Sequence, residues 1–143
     1  MDLFKFLQTG AFVVDLHLRD PIVKVKEMLG SPEKIVGDDK VGFMFYSNGI
    51  RIGYFGDYID ALAINFIEKE GIEYPIELDE EEVIVVSEKT QLHSFIYILN
   101  QAGIKWRVND QYNPFNFSIM TSANIYIIFD LLTGLISMIT TGD

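Results

Sequence analysis

The chain has no cysteine, two histidines, one tryptophan and only four prolines in 143 residues. Without cysteine there is no disulfide framework, no thiolate nucleophile and no thiolate-bound zinc. A reducing compartment, the cytoplasm, is the simplest home for such a chain. His17 and His93 stand far apart and outside any ligand-spaced cluster, so no metal site and no cofactor are expected. Bases are also scarce: 11 lysines and arginines face 21 acids, a net charge of −10. A field of that sign repels phosphate backbones, which argues against nucleic acid and anionic membranes and favours a basic protein partner. No apolar run reaches the roughly 20 residues of a membrane helix. The nearest, NIYIIFDLLTGLISMI, is cut by Asp130 and by Thr133-Gly134. The start, MDLFKFLQTG, carries Asp2 and Lys5 and lacks the long apolar segment of a secretory signal.

Hydrophobic residues make up 49% of the chain and aromatics 13%, enough for a substantial core. The acidic excess is concentrated. Residues 1–66 carry net −2, residues 67–82 net −7 and residues 83–143 net −1. The stretch IEKEGIEYPIELDEEE therefore reads as an acidic linker between two units, 1–66 and 83–143, that fold as one compact domain.

Each unit has the signals of a helix followed by antiparallel strands. After a short helix over Asp2–Gln8, Asp20 reads as a cap with Pro21 at the first helical position, where its missing N–H costs nothing. Ile22, Val25, Met28 and Leu29 give one apolar stripe, Gly30 ends it and Pro32 prevents continuation. GFMFYSNGIRIGYF is a hairpin about Asn48-Gly49, a pair suited to the turn that strand twist prefers, and ALAINFI is a third strand. In the second unit Ser87 or Thr90 caps a helix with Leu92, Phe95, Ile96 and Leu99 on one face, closed by Gly103. IKWRVN, a hairpin about Ser122-Ala123-Asn124 and GLISMI supply its strands, with EVIVV as an extra strand ahead of it. Gly30 to Gly103 spans 73 residues, Phe43 to Phe117 74, Ile52 to Ile127 75 and Leu62 to Leu135 73. The expected fold is α+β: two tandem helix-plus-antiparallel-sheet units forming one curved antiparallel sheet with helices on one face.

The segment LRDPIVKVKEMLGSPEK, with Val25, Gly30 and Pro32 at V-x(4)-G-x-P spacing, resembles the SmpA/OmlA (BamE-like) and beta-lactamase-inhibitor-protein-like group. Asp20-Pro21 replaces the usual Gly-x-Thr/Ser lead. The resemblance implies a concave antiparallel sheet that binds protein rather than a catalytic site. The missing lipobox cysteine and disulfides set the chain apart from envelope lipoproteins and secreted inhibitors, and its small acidic character is similar to that of cytosolic bacterial immunity proteins.

No catalytic constellation competes with this reading. None of the serines has the G-x-S-x-G context of a nucleophile elbow, GIRIGYFG lacks the lysine of a phosphate cradle, and Asp38-Asp39 is turn chemistry rather than a calcium loop. Asp57 and Asp60 flank a strand start, where a turn explains them more simply than a catalytic pair. Phe43, Phe45, Phe66, Phe95, Phe117 and Phe129 read as core, and Trp106, between Lys105 and Arg107, as the inward face of a strand. The expected protein is a non-enzymatic binding module, an immunity protein that blocks a basic bacterial toxin such as a nuclease. Its partner-binding residues would be Asp57, Tyr58, Asp60, Glu77, Asp79, Glu80, Glu81, Glu82 and Tyr112. The alternatives are a structural assembly adaptor or a carboxylate-dependent enzyme.

Overall fold

The computed structural model describes residues 1–13, 15–79, 81–111 and 113–142. Among these residues, three helices, α1 (Leu3–Thr9), α2 (Ile22–Leu29) and α3 (Leu92–Gln101), accompany ten strands. Eight strands form one antiparallel sheet: β1 (Lys34–Gly37), β2 (Val41–Phe45), β3 (Ile50–Phe55), β4 (Tyr58–Asn65), β7 (Trp106–Val108), β8 (Asn116–Thr121), β9 (Ile125–Asp130) and β10 (Ile136–Thr141). Their order is β1-β2-β3-β4-β10-β9-β8-β7, so β4 and β10 meet at the centre and β1 and β7 are the edges. The remaining pair, β5 (Glu73–Glu77) and β6 (Val83–Ser87), makes a separate antiparallel hairpin.

Local chemistry explains most boundaries. Asp2 caps α1 by accepting the Lys5 N–H at 3.1 Å. Gly30 ends α2 at a φ of 75° with its N–H on the Lys26 carbonyl. The Tyr46 hydroxyl then donates to the Gly30 carbonyl at 2.9 Å, fixing the helix end to the first hairpin. Asn48 and Gly49 take φ values of 57° and 77°, the left-handed pair that a two-residue hairpin loop requires. The expected caps of the other two helices are not formed. Asp20 turns its carboxylate back to the His17 N–H and the Lys24 ammonium, leaving Pro21 at the cap of α2. Ser87 and Thr90 satisfy each other's turn instead, Thr90 Oγ1 accepting the Ser87 N–H at 2.9 Å, and Gln91 precedes α3.

One buried cluster joins α1 (Leu3, Phe6, Leu7), α2 (Val25) and α3 (Phe95, Ile98, Leu99) to alternate residues of the large sheet. Ile52 lies between Met44 and Leu62, and Ile127 between Ile119 and Ile139, all fully or nearly fully buried. The β5–β6 hairpin adds Tyr74, Ile76 and Val86 to the same cluster. The other residues of each strand face away from it, as the two-residue period of a strand requires. This corrects one expectation: Phe66, Phe95 and Phe129 are core and half-buried Phe117 packs against it, but Phe43 is exposed and Phe45 only half-buried on the same outward side, because Met44 and the following Tyr46, in the opposite phase, take the buried side.

Two further differences concern strand number. The first four-strand group includes β1, which the charged and glycine-rich surroundings of KIVG disguised. The acidic stretch holds a strand of its own, β5, whose Tyr74 and Ile76 alternate with exposed Glu73, Pro75 and Glu77.

Candidate protein-binding surface

The acidic hairpin is built from the inside out. Tyr74 is buried and donates to the Asn48 carbonyl at 2.6 Å, and the Asn48 amide donates to the Glu73 carbonyl at 3.3 Å. Burial pushes the Tyr74 phenol well above its ordinary value, so it stays a donor at any physiological pH. These bonds pin β5 to the β2–β3 turn. At the far end Asp79 folds the turn upon itself, its Oδ1 accepting the Glu81 and Glu82 N–H groups at 2.8 Å each. Glu82 Oε1 accepts the Tyr97 hydroxyl of α3 at 2.9 Å. That bond, with desolvation and the negative charges of Glu82 and Asp79, raises the Tyr97 phenol above its usual value.

The outward face of this hairpin pairs Glu73 with Ser87, Pro75 with Val85 and Glu77 with Val83. Val83 is 57% exposed and Val85 47%. The arrangement is thus a small apolar strip with carboxylates at its margins. Salt bridges among the described residues involve Asp15, Asp20 and Glu33, not the acids of this hairpin.

Asp57, Tyr58 and Asp60 occupy a second place. Asp57 lies in the β3–β4 turn, and its carbonyl accepts the Ile22 N–H at 2.8 Å, joining the turn to the start of α2. Tyr58 opens β4 with its ring exposed and bridges Pro21. Asp60 is the extra residue of a bulge, where Gly53 pairs Ala61 and Tyr54 pairs Ile59. Its carboxylate lies over Gly53 beside the Phe43 ring; a Cβ on Gly53 would stand 2.7 Å from Asp60 Oδ1 and 3.1 Å from Phe43. Glu80 and Tyr112 lie outside the described residues. The proposed set therefore divides: Glu77, Asp79, Glu81 and Glu82 sit on the β5–β6 hairpin, while Asp57, Tyr58 and Asp60 sit at the β3–β4 turn held to α2.

A third feature escaped the sequence reading. The sheet face turned away from the core carries Val36, Val41, Phe43 and Phe55, the last 69% exposed. Arg51 lies among them, its guanidinium 4.6 Å from the Phe43 ring centroid and its Nη2 3.4 Å from the Met138 sulfur. Arg51 Nε is buried with no hydrogen-bond partner among the described residues. The signal was present in VGFMFYSNGIRIGYF as two interleaved apolar phases, which periodicity alone cannot rank.

The remaining polar groups have local roles. Asp38 Oδ1 accepts the Lys40 and Val41 N–H groups at 2.8 and 2.9 Å, which holds its carboxyl below the usual range. Trp106 is half-buried and its indole N–H donates to Asn100 Oδ1 at 2.8 Å. No group of three potential metal ligands occurs among the described residues, and no helix there is long and apolar enough to cross a membrane.

These features define an α+β protein with a large antiparallel sheet, one partly apolar sheet face and an acidic hairpin. No family model, curated protein or solved structure matches the chain.

Proposed function

We propose that this chain is a non-catalytic binding protein that docks a basic protein partner on the outward face of the β5–β6 hairpin. In its most specific form it is a cytoplasmic immunity protein neutralising a cognate basic toxin domain, such as a nuclease. The observation that carries the reading is the composition of that face: Val83 and Val85 exposed between Glu73, Pro75 and Glu77, with Asp79 and Glu81 at the turn beyond. An apolar centre supplies affinity by losing water, while the carboxylate margin steers a partner whose own surface is rich in lysine and arginine. A toxin that grips phosphate backbones has such a surface. The mutual bonds of Tyr74, Asn48 and Tyr97 hold the hairpin in place before the partner arrives.

The tandem, helix-led plan belongs to the same proposal, as a curved sheet backed by helices. Three matched features support it. The residue preceding α2, Pro21, bridges Tyr58 at the start of β4, and the residue preceding α3, Gln91, bridges Leu135 just ahead of β10. Asp60 is the bulge residue of β4 and Ser137 that of β10. Both Tyr58–Leu135 and Asp60–Ser137 are 77 residues apart. On this alignment Leu135 corresponds to Tyr58, not to Leu62. The resemblance to the SmpA/OmlA and beta-lactamase-inhibitor-like group rests on the same plan.

The test is coexpression with the toxin domain encoded beside the chain's own gene. The expected result is rescued growth and a purified complex that weakens as salt rises and is lost in the double variant Glu77→Lys, Glu81→Lys. A complex indifferent to both salt and charge reversal would remove the hairpin from the interface. It would favour a second reading, an assembly adaptor docking through the apolar sheet face around Phe43 and Phe55. A chain with no toxin gene beside it and no binding to basic domains would end the immunity reading.

A further inference from the structure

We propose that this chain forms a twofold dimer by antiparallel pairing of β1 with the β1 of a second copy, making one continuous sheet across the two.

The two edges of the large sheet differ in how they are guarded. β7 has three residues; its Trp106 is bonded to Asn100, and the Asn109 side chain that follows it is bonded to Ser118. Among the described residues no side-chain hydrogen bond holds β1, and its Lys34 ammonium lies over the Phe45 ring. All four of its residues are exposed, Ile35 at 54% and Val36 at 48%, and it contains no proline. A bare apolar edge is a template for another strand.

The backbone fixes which groups it offers. Asp38 N–H bonds the Val41 carbonyl at 3.0 Å, so the directly bonded pairs of the β1–β2 ladder fall at alternate residues: 38 with 41, 36 with 43, 34 with 45. Ile35 and Gly37 therefore turn their N–H and C=O groups to the open edge. A second antiparallel copy with its dyad at Val36 pairs Ile35 with the partner's Gly37 and Gly37 with the partner's Ile35, each pair exchanging both bonds.

This register also matches shape and charge. Ile35, Gly37 and Met44 lie on the core side of the sheet and border a cavity of about 390 Å³, which Ile22 and Tyr54 also line. The gap at Gly37 is permanent, because a Cβ there would fall 2.3 Å from the Val41 carbonyl oxygen and its φ is +128°. In the dimer the partner's Ile35 stands opposite that gap, on the cavity side. On the other face Val36 meets the partner's Val36 next to Phe43, extending an apolar strip that each copy leaves exposed. Lys34 falls opposite the partner's Asp38 on both sides of the dyad. The protruding isoleucine and the gap that receives it are two residues apart on one strand, so this strand is its own complement. That self-complementarity is why the occupant is a second copy rather than a foreign strand.

Sedimentation equilibrium over a range of micromolar concentrations, with two variants, and oxidative cross-linking, with two more, test the proposal. The wild-type chain is expected at twice its monomer mass. Ile35→Pro removes an N–H that points to the open edge and leaves the β1–β2 bonds intact, so it is expected at monomer mass with an unchanged far-UV spectrum. Val36→Lys puts two ammonium groups together on the dyad and is expected to be monomeric too. Val36→Cys introduces the only cysteine of the chain, at a non-hydrogen-bonded pair whose close Cβ atoms suit a disulfide. It is expected to cross-link on mild oxidation, whereas Leu132→Cys, at the exposed β9–β10 turn, is not. A wild-type chain at monomer mass throughout, a dimer that survives both Ile35→Pro and Val36→Lys, or cross-linking no faster at position 36 than at 132 would overturn the proposal.

Discussion

The strands β1–β4 and β7–β10 follow the same order about the centre of the sheet, yet they treat their outward faces differently. In the first group that face carries Val36, Val41, Phe43 and Phe55 around Arg51. In the second the corresponding side mixes half-buried Asn116, Ser118, Tyr126 and Asp130 with half-buried Ile128 and buried Met120, and has Arg107 at the edge, so its apolar residues are covered where those of the first group are exposed. On the core side each group sets a buried isoleucine between two buried apolar neighbours, Ile52 between Met44 and Leu62 and Ile127 between Ile119 and Ile139. Packing constrains one side of a sheet and leaves the other free to specialise, since an outward residue has only its same-face neighbours to satisfy. Under the dimer proposed above, the first group, with its open edge, is the side where the large sheet meets a second copy.

The largest test of this comparison is in the core. Ile52→Ala and Ile127→Ala each remove a fully buried side chain. Each is expected to destabilise the fold by about 2–5 kcal/mol, read as a lower denaturation midpoint with unchanged slope. Equal losses would show that the two groups share one cooperative core. A loss confined to one of them, with a second transition appearing, would break the comparison into two separately stable parts.

Turns give a smaller and more directional test. Both the β2–β3 and β8–β9 hairpins turn through a residue of positive φ, Gly49 at 77° and Asn124 at 63°. A Cβ on Gly49 would meet the Asn65 carbonyl at 2.5 Å and the Ile72 side chain at 2.8 Å. Gly49→Ala is therefore expected to cost more than about 1 kcal/mol by thermal melting. Asn124→Gly relieves a left-handed backbone at a residue with a Cβ and is expected to raise the melting temperature slightly. Opposite signs at the two turns sharpen the contrast. A neutral Gly49→Ala would mean that this loop shifts to accept the methyl.

How much of this was legible in the sequence follows from the range of the forces involved. Asn48-Gly49, Gly30 and the apolar stripe of α2 are local signals, and the structure forms the turn, the stop and the helix they imply. Phe43 and Phe45 share an alternation with Gly42 and Met44, and only packing against a distant helix decides which set is buried. β1 was hidden because an edge strand is exposed on nearly every side and so shows no alternation at all. β5 was hidden because charge dominates its composition, although Tyr74 and Ile76 keep a strand's period within it. Of the residues expected to bind a partner, Asp57, Tyr58 and Asp60 are exposed at a turn, but their place on a different sheet from the acidic hairpin is a property of topology, which no local pattern records.

The smallest expected effect separates the two helix starts. α2 begins beside an ion pair, Asp20 Oδ2 to Lys24 Nζ at 2.9 Å, whereas the start of α3 is held by Thr90, whose carbonyl accepts the Ile136 N–H at 2.8 Å. The Lys24 ammonium, together with the His17 N–H, holds the Asp20 carboxyl below its ordinary value against the opposing effect of burial. A carboxyl with a depressed folded-state pKa contributes stability that is fully present above its unfolded value and is lost as pH falls through the folded one. Because the pair is solvent-accessible and screened, that contribution is small. Asp20→Asn is therefore expected to lower stability slightly at neutral pH, with the gap from wild type closing as the solution is taken below the ordinary aspartate range. High salt should close the same gap at neutral pH. Thr90→Val breaks a bond between uncharged partners, the Ser87 N–H and the Thr90 hydroxyl, so its deficit is expected to keep the same size in acid and in salt. A Thr90→Val deficit that shrank in step with that of Asp20→Asn would mean that the two helix starts are held by the same electrostatics.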